Sequence, residues 1–178
     1  MSFRLIAAVF VAVAGVTMGS LGGATPASAQ AIRSIQVEGN HRIEAETVRS
    51  YMQIAPGEAY SAEKVDSSLK TLFRTGLFSD VRIYRRGNDL VVNVEENPII
   101  NRVSFEGNRE LDDEALGKEV ELRPRVVFTR ARAQSDAQRI VALYRRSGRF
   151  SATVEPKVIK LPQNRVDLVF EIDEGETS

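Results

Sequence analysis

Ile35-Gln36-Val37-Glu38-Gly39-Asn40 is answered by Val103-Ser104-Phe105-Glu106-Gly107-Asn108, position 35 by position 103, a spacing of 68. Each hexapeptide alternates apolar and polar residues and then stops at Glu-Gly-Asn. Alternation of period two marks a strand with one buried face, and Gly-Asn marks a turn. A strand-and-turn that recurs at fixed spacing points to a repeated unit, provided the flanking chain matches as well.

The first unit reads as follows. A strand over 32–38 turns Ile35 and Val37 inward, and a helix over 45–53 places Val48 and Met52 on one face. Ile54-Ala55-Pro56-Gly57 ends that helix. Ser61 is the N-cap of a second helix, on which Val65, Leu69, Leu72 and Phe73 form one apolar stripe, and Gly76 stands at its C-terminal cap. A strand over 80–85 has Val81 and Ile83 inward, and Gly87-Asn88-Asp89 makes a hairpin turn. A last strand over 90–95 sets Leu90, Val92 and Val94 on one face and Val91 on the other.

The second unit repeats that order. Leu116 and Val120 take the places of Val48 and Met52, and Pro124 and Phe128-Thr129 correspond to Pro56 and Tyr60-Ser61. Thr129 is again an N-cap, for a helix carrying Ala133, Ala137, Ile140, Val141 and Tyr144. Gly148 answers Gly76 at a spacing of 72 rather than 68, so this helix gains four residues, close to one turn, and keeps its stripe on the core side. Phe150-Ser151 matches Phe78-Ser79, Pro162-Gln163-Asn164 makes a longer hairpin, and a final strand over 166–172 closes the unit. Only Asn97-Pro98-Ile99 lies between the units, too short and too stiff for free tumbling.

The expected fold is α+β: two tandem β-α-α-β-β units, each a three-stranded mixed sheet with two helices packed on one face. The units span residues 30–97 and 98–175, and residues 176–178 read as the start of a linker to a downstream region. Residues 1–29 read as a cleavable secretory signal. Arg4 is their only charge, an apolar run follows, and Ala27-Ser28-Ala29 is a small-x-small cleavage pattern that cuts between Ala29 and Gln30. The apolar run of about 14 residues is short of the roughly 20 that span a bilayer. The mature chain is therefore expected outside the cytoplasm.

Composition narrows the function. At 43% hydrophobic and 27% charged the chain is globular rather than disordered. Lys+Arg and Asp+Glu are both 24, without the basic excess of a nucleic-acid binder. There is no cysteine, hence no disulfide, thiolate nucleophile or cysteine-based zinc site. Asp112-Asp113-Glu114 read as first-turn acids of a helix rather than a metal or acid–base cluster. His41 lies in a turn without a nucleophile beside it. Arg145, Arg146 and Arg149 suit a helix C-terminus, and an anionic partner is their alternative reading. No phosphate loop or Ser/His/Asp spacing is present. The reading is non-enzymatic, with no cofactor and no metal.

The tandem order, the Glu-Gly-Asn turn, the segment Leu72-Phe73-Arg74-Thr75-Gly76-Leu77-Phe78-Ser79-Asp80-Val81 and the closing Glu171-Ile172-Asp173-Glu174-Gly175 resemble POTRA domains, the polypeptide-transport-associated repeats in front of outer-membrane barrels. They resemble in particular the first two repeats of the BamA-type assembly factors. The resemblance implies the periplasmic part of a Gram-negative outer-membrane protein. Its implied partners are unfolded outer-membrane protein precursors, accessory assembly lipoproteins and the outer membrane, the last through a C-terminal barrel absent from this chain. The alternative is a spacer or docking module that binds no client, as in a two-partner secretion transporter or another periplasmic POTRA protein such as a division-type one.

The architecture suggests how clients would be held. The most continuously apolar strand of each unit belongs in the middle of its sheet, which leaves strands one and two as edges. An edge displays unpaired N–H and C=O groups that accept another extended chain, a sequence-tolerant grip. The candidate edge residues are Val81, Arg82, Ile83 and Tyr84 in the first unit and Val154, Val158 and Ile159 in the second, where Pro156 interrupts pairing. The first is favoured.

Overall fold

The computed structural model describes residues 30–176. The expected leader, including Ala29 of its cleavage site, and Thr177 and Ser178 lie outside the described residues. The first unit contains β1 (Ile35–Glu38), α1 (Ala45–Ser50), α2 (Ala62–Arg74), β2 (Phe78–Arg86) and β3 (Asp89–Glu96). The second contains β4 (Ile99–Glu106), α3 (Asp113–Glu119), α4 (Arg130–Arg146), β5 (Thr153–Leu161) and β6 (Arg165–Asp173).

Both sheets are three-stranded and mixed. Their orders are β1-β3-β2 and β4-β6-β5. The first strand of each unit runs parallel to the central one and the hairpin partner antiparallel. The central strands are those whose apolar run demanded it: Leu90, Val91, Val92 and Val94 are all buried, as are Val166, Leu168, Val169, Phe170 and Ile172. One core joins Val48 of α1 and Leu72 of α2 to Leu90, Val92 and Val94, and a second joins Leu116, Ala133, Ala137, Ile140 and Tyr144 to β6. Each fully buried Leu, Val or Phe contributes roughly 1.5–3 kcal/mol, so each unit owes its stability to its own core. Ser61, Asp112 and Thr129 cap α2, α3 and α4 through side-chain oxygens that accept the N–H three residues on. Helix α4 has 17 residues and α2 has 13, the extra turn that the glycine spacing implies.

Several boundaries differ from expectation, each for a local reason. β1 starts at Ile35, not at 32, because Ile32 bonds backward: its N–H donates to the Glu58 carbonyl at 2.8 Å and its carbonyl accepts from Gly57 at 2.7 Å. α1 stops at Ser50, not at 53, so Met52 is not a helical partner of Val48. The N–H groups of Tyr51 and Met52 reach back only three residues, to Val48 and Arg49, and this tightening turns Ile54 into the core. β2 runs from 78 to 86 rather than 80 to 85, taking in the buried Phe78 across a register shift. Phe73, expected on the buried stripe of α2, is instead 44% exposed.

The Glu-Gly-Asn turn has a steric cause. Gly39 (φ 82°) and Gly107 (φ 87°) take left-handed backbone. A Cβ on either would run into the carbonyl oxygen of Val94 or Ile172 on the central strand. The asparagines then close the turn, Asn40 Nδ2 donating to the Ile43 carbonyl at 2.8 Å and Asn108 Nδ2 to that of Leu111 at 2.9 Å.

Candidate functional site

Each sheet has two edge strands, β1 and β2 in the first and β4 and β5 in the second, and the hydrogen-bond parity says which groups the hairpin edges β2 and β5 offer. Gly87 (φ 64°) begins the two-residue turn between Arg86 and Asp89, so those two residues exchange both backbone bonds. Pairs then alternate along the ladder. Leu90, opposite Arg85, gives its N–H to Ser34 of β1 at 2.9 Å, which confirms that the Arg85–Leu90 pair is not hydrogen-bonded. Arg85, Ile83 and Val81 therefore direct their N–H and C=O groups away from β3. Their side chains lie toward the helices, and those of Arg82, Tyr84 and Arg86 lie on the other face of the sheet.

The four first-unit candidates thus play different parts. Val81 is buried, and it offers backbone only. Ile83 is half-buried and packs on the core. Tyr84 is exposed, with the Arg86 guanidinium over its ring and donating to its hydroxyl at 3.1 Å. Arg86 also pairs with Glu38 at 2.9 Å, and Arg82 with Asp80 at 2.9 Å.

In the second unit, Pro156 sits opposite Phe170. Proline has no N–H to give, so the ladder survives only if position 156 faces the open side. Val154, Val158 and Lys160 share its parity and direct their backbone groups outward, with one donor missing among them. Val154 is buried, whereas Val158 is 41% and Ile159 50% exposed. The other two edge strands are met by neighbouring backbone only at or before their starts. The start of β4 is met by the 126–128 segment, with Ile100 N–H donating to Val126 and Phe128 N–H to Pro98, and Ala31 bridges Ala59 ahead of β1.

A set of buried acids, whose partners the sequence pattern does not reveal, pins the turns and strand ends of both units. Glu96, the last residue of β3, accepts the N–H groups of His41, Arg42 and Ile43 at 2.7, 3.0 and 2.9 Å and the Arg42 guanidinium at 3.2 Å. Glu174, just past β6, accepts from Arg109 and Glu110 at 2.7 and 2.8 Å and from the Tyr144 hydroxyl at 3.0 Å. Burial pushes the Glu96 carboxyl up, but the N–H groups of Ile43, His41 and Arg42 outweigh it and hold the group below the ordinary carboxylate range. Glu174 is likewise held low against its burial, and burial together with Glu174 pushes the Tyr144 phenol up. At the other end of the central strands, Asp89 engages Arg33 and Ser34, and Asp167 engages Asn101 and Arg102. On the helices, Ser68 accepts from Gln53 N–H, and Asp136 accepts from Glu121 and Leu122. The signal was there to be found: acids recurring at one spacing, 89 with 167 and 96 with 174, beside apolar strands. Among the described residues no group of His, Cys, Asp and Glu could hold a metal, and no helix is long and apolar enough to cross a membrane.

The family model for POTRA, the surface antigen variable number repeat, matches twice, over residues 30–97 and 98–175. The chain belongs to the POTRA family. An outer membrane protein assembly factor BamA from Neisseria meningitidis serogroup B is 32% identical over 150 residues, which is 83% of this chain and 19% of that protein. Another from Neorickettsia risticii is 24% identical over 148 residues. The chain therefore spans about a fifth of the length of these relatives. Among solved structures, the N-terminal domain of Omp85 from Thermosynechococcus elongatus superposes with a TM-score of 0.62 at 20% identity, covering 82% of this chain and 63% of that one. POTRA1-2 of the periplasmic domain of Omp85 from Anabaena gives 0.56 at 15%, covering 83% and 97%. These likenesses place the tandem POTRA fold beside the BamA and Omp85 N-terminal regions.

Proposed function

We propose that this tandem is the periplasmic part of an outer-membrane protein assembly factor, which receives extended barrel precursors along the open edge of β2 and docks accessory subunits nearby. The observation that carries the reading is the edge itself. β2 is nine residues long, bonded on one side only, free of proline, and offers outward backbone groups at Val81, Ile83 and Arg85. Backbone pairing is indifferent to client sequence, which suits a factor serving many precursors. Tyr84 and the Arg82 and Arg86 cations beside it add mild selectivity on the outer face. The role is a binding one, with no catalytic group and no cofactor.

The test is an NMR titration of the chain from Gln30 onward, which carries both cores, with an extended peptide from the terminal strand of an outer-membrane barrel. Amide shifts should concentrate on 80–86. Ile83→Pro and Arg85→Pro each remove one outward donor while leaving the inner ladder bonds in place, and each should weaken binding. Arg85 is exposed, with its guanidinium 5.1 Å from the Tyr60 ring, so its variant loses that contact but no buried apolar side chain. Absence of shifts at millimolar peptide, with both units folded, would leave the spacer reading in its place.

A further inference from the structure

A cleft of about 790 Å³ lies where the two units meet. It falls within the range of small-ligand and peptide side-chain pockets. Phe73, Phe78 and Val158 contribute apolar surface to it. Phe73 and Val158 are 44% and 41% exposed, two of the five large apolar side chains exposed among the described residues. Phe73 comes from one unit and Val158 from the other, so neither unit makes the apolar patch alone.

The charge of the cleft is one-sided. Arg130, Lys160 and Arg165 line it, and none of them takes part in an ion pair among the described residues. Two acids line it too. Glu96 is spent on Arg42 and the turn N–H groups, and only Glu95 is left to face the three cations.

The cleft is also preformed. Asn164 spans the junction, its side-chain amide donating to the Glu96 carbonyl at 2.9 Å while its own carbonyl accepts from Ile99 at 3.1 Å. Asn97 binds back to α2 and the strand entry, through Gly76 O at 2.9 Å and Leu77 O at 2.8 Å. The Asn164 bond to Glu96 crosses between the units, and the Asn97 bonds fix the wall of the first. Each such bond lessens the ordering that a partner entering the cleft has to impose.

We infer that this inter-unit cleft is a second docking site, for an extended protein segment that carries a large apolar side chain flanked by carboxylates. The apolar residue seats against Phe73 and Val158, and its acidic neighbours meet Arg130, Lys160 and Arg165. This site uses the start of β2, Phe78 and Ser79, and not the outward groups of Val81, Ile83 and Arg85, so either site can be present without the other.

The test is an NMR titration of the chain from Gln30 onward with a decapeptide holding one Phe between two pairs of Glu. Three controls accompany it: a Lys-for-Glu version, a Ser-for-Phe version, and phosphatidylglycerol vesicles. Shifts should fall on amides of Gly76, Ser79, Ala131 and Leu161, and each peptide control should bind about tenfold or more weakly. Lys160→Gln and Arg130→Gln, both exposed changes, should each weaken binding about threefold, and raised salt should do the same. Phe73→Ser should abolish it; were that variant to misfold, the two charge variants still decide. Equal binding of the Lys version, shifts from vesicles alone, or shifts confined to 80–86 would each overturn the cleft site. The last of these would leave the strand-edge reading standing.

Discussion

Glu96 at the end of β3 accepts three turn N–H groups and a guanidinium, and Glu174 past β6 accepts two and a phenol. Gly39 and Gly107 press on the same point of the central strand, and Asn40 and Asn108 close the same turn. The hairpin edges do not match in this way. β2 presents its outward groups without interruption, and β5 carries Pro156 in the middle. The two units agree in these turns and clamps and differ along the hairpin edge proposed to take a second chain. That division separates a common frame from an edge free to specialise.

The largest effect should come from the turn glycines, and it should be equal in the two units. Gly39→Ala and Gly107→Ala each combine left-handed backbone with a Cβ driven into a carbonyl oxygen, a cost on the order of 3 kcal/mol. Urea unfolding followed by circular dichroism measures it. Gly117→Ala is the control: it sits in α3 with ordinary helical backbone and open space around it. It should gain about 0.5–1 kcal/mol. A cost below about 1 kcal/mol at either turn would break the claim that both units share one frame.

The acids come next. Glu96→Gln should cost about 1–3 kcal/mol, and Glu174→Gln somewhat less, because Glu96 serves more donors and a full cation. Both carboxyls are held below their ordinary value in the folded chain. Such a group adds stability above the unfolded-state value, about 4.3, and loses it as pH falls through the folded one. The natural chain should therefore weaken steadily below about pH 4, and each Gln variant should weaken less steeply there. An unchanged pH profile would show that these carboxylates do not clamp the turns.

Much of this frame was legible beforehand, for identifiable reasons. The run Leu90 to Val94 and its partner in β6 are too apolar to lie at an edge, so their central place follows from burial alone. Spacing of Gly76 and Gly148 revealed the extra turn of α4. What escaped were positions where tertiary contact overrides local pattern. Phe73 continues the apolar stripe of α2 in sequence, but a neighbouring unit leaves it facing a cleft. Ile32 alternates like a strand residue, but its backbone bonds go to Gly57 and Glu58. Glu96 and Glu174 look like solvated strand-end acids until the turn they bind is folded beneath them. Residues 81–84 alternate as a strand in the sequence, but which of them turn their backbone groups outward depends on the turn at Gly87, which sequence leaves open.

The finest test acts on the edge difference itself. Position 156 lies in β5 with its backbone turned outward and its side chain on the helix face, opposite Phe170. Pro156→Val restores the missing donor, keeps an apolar side chain and suits a strand. Stability should move little, because no inner ladder bond is gained or lost. One added backbone bond to a bound strand contributes about 0.5–1.5 kcal/mol, a few-fold to tenfold in affinity. In a titration with the barrel-strand peptide, the natural chain should respond over 80–86 and the variant over 153–161 as well. A natural chain that already responds equally on both strands would show that one missing donor does not silence an edge. The preference for β2 would then have to rest on Tyr84 and its flanking arginines rather than on the backbone.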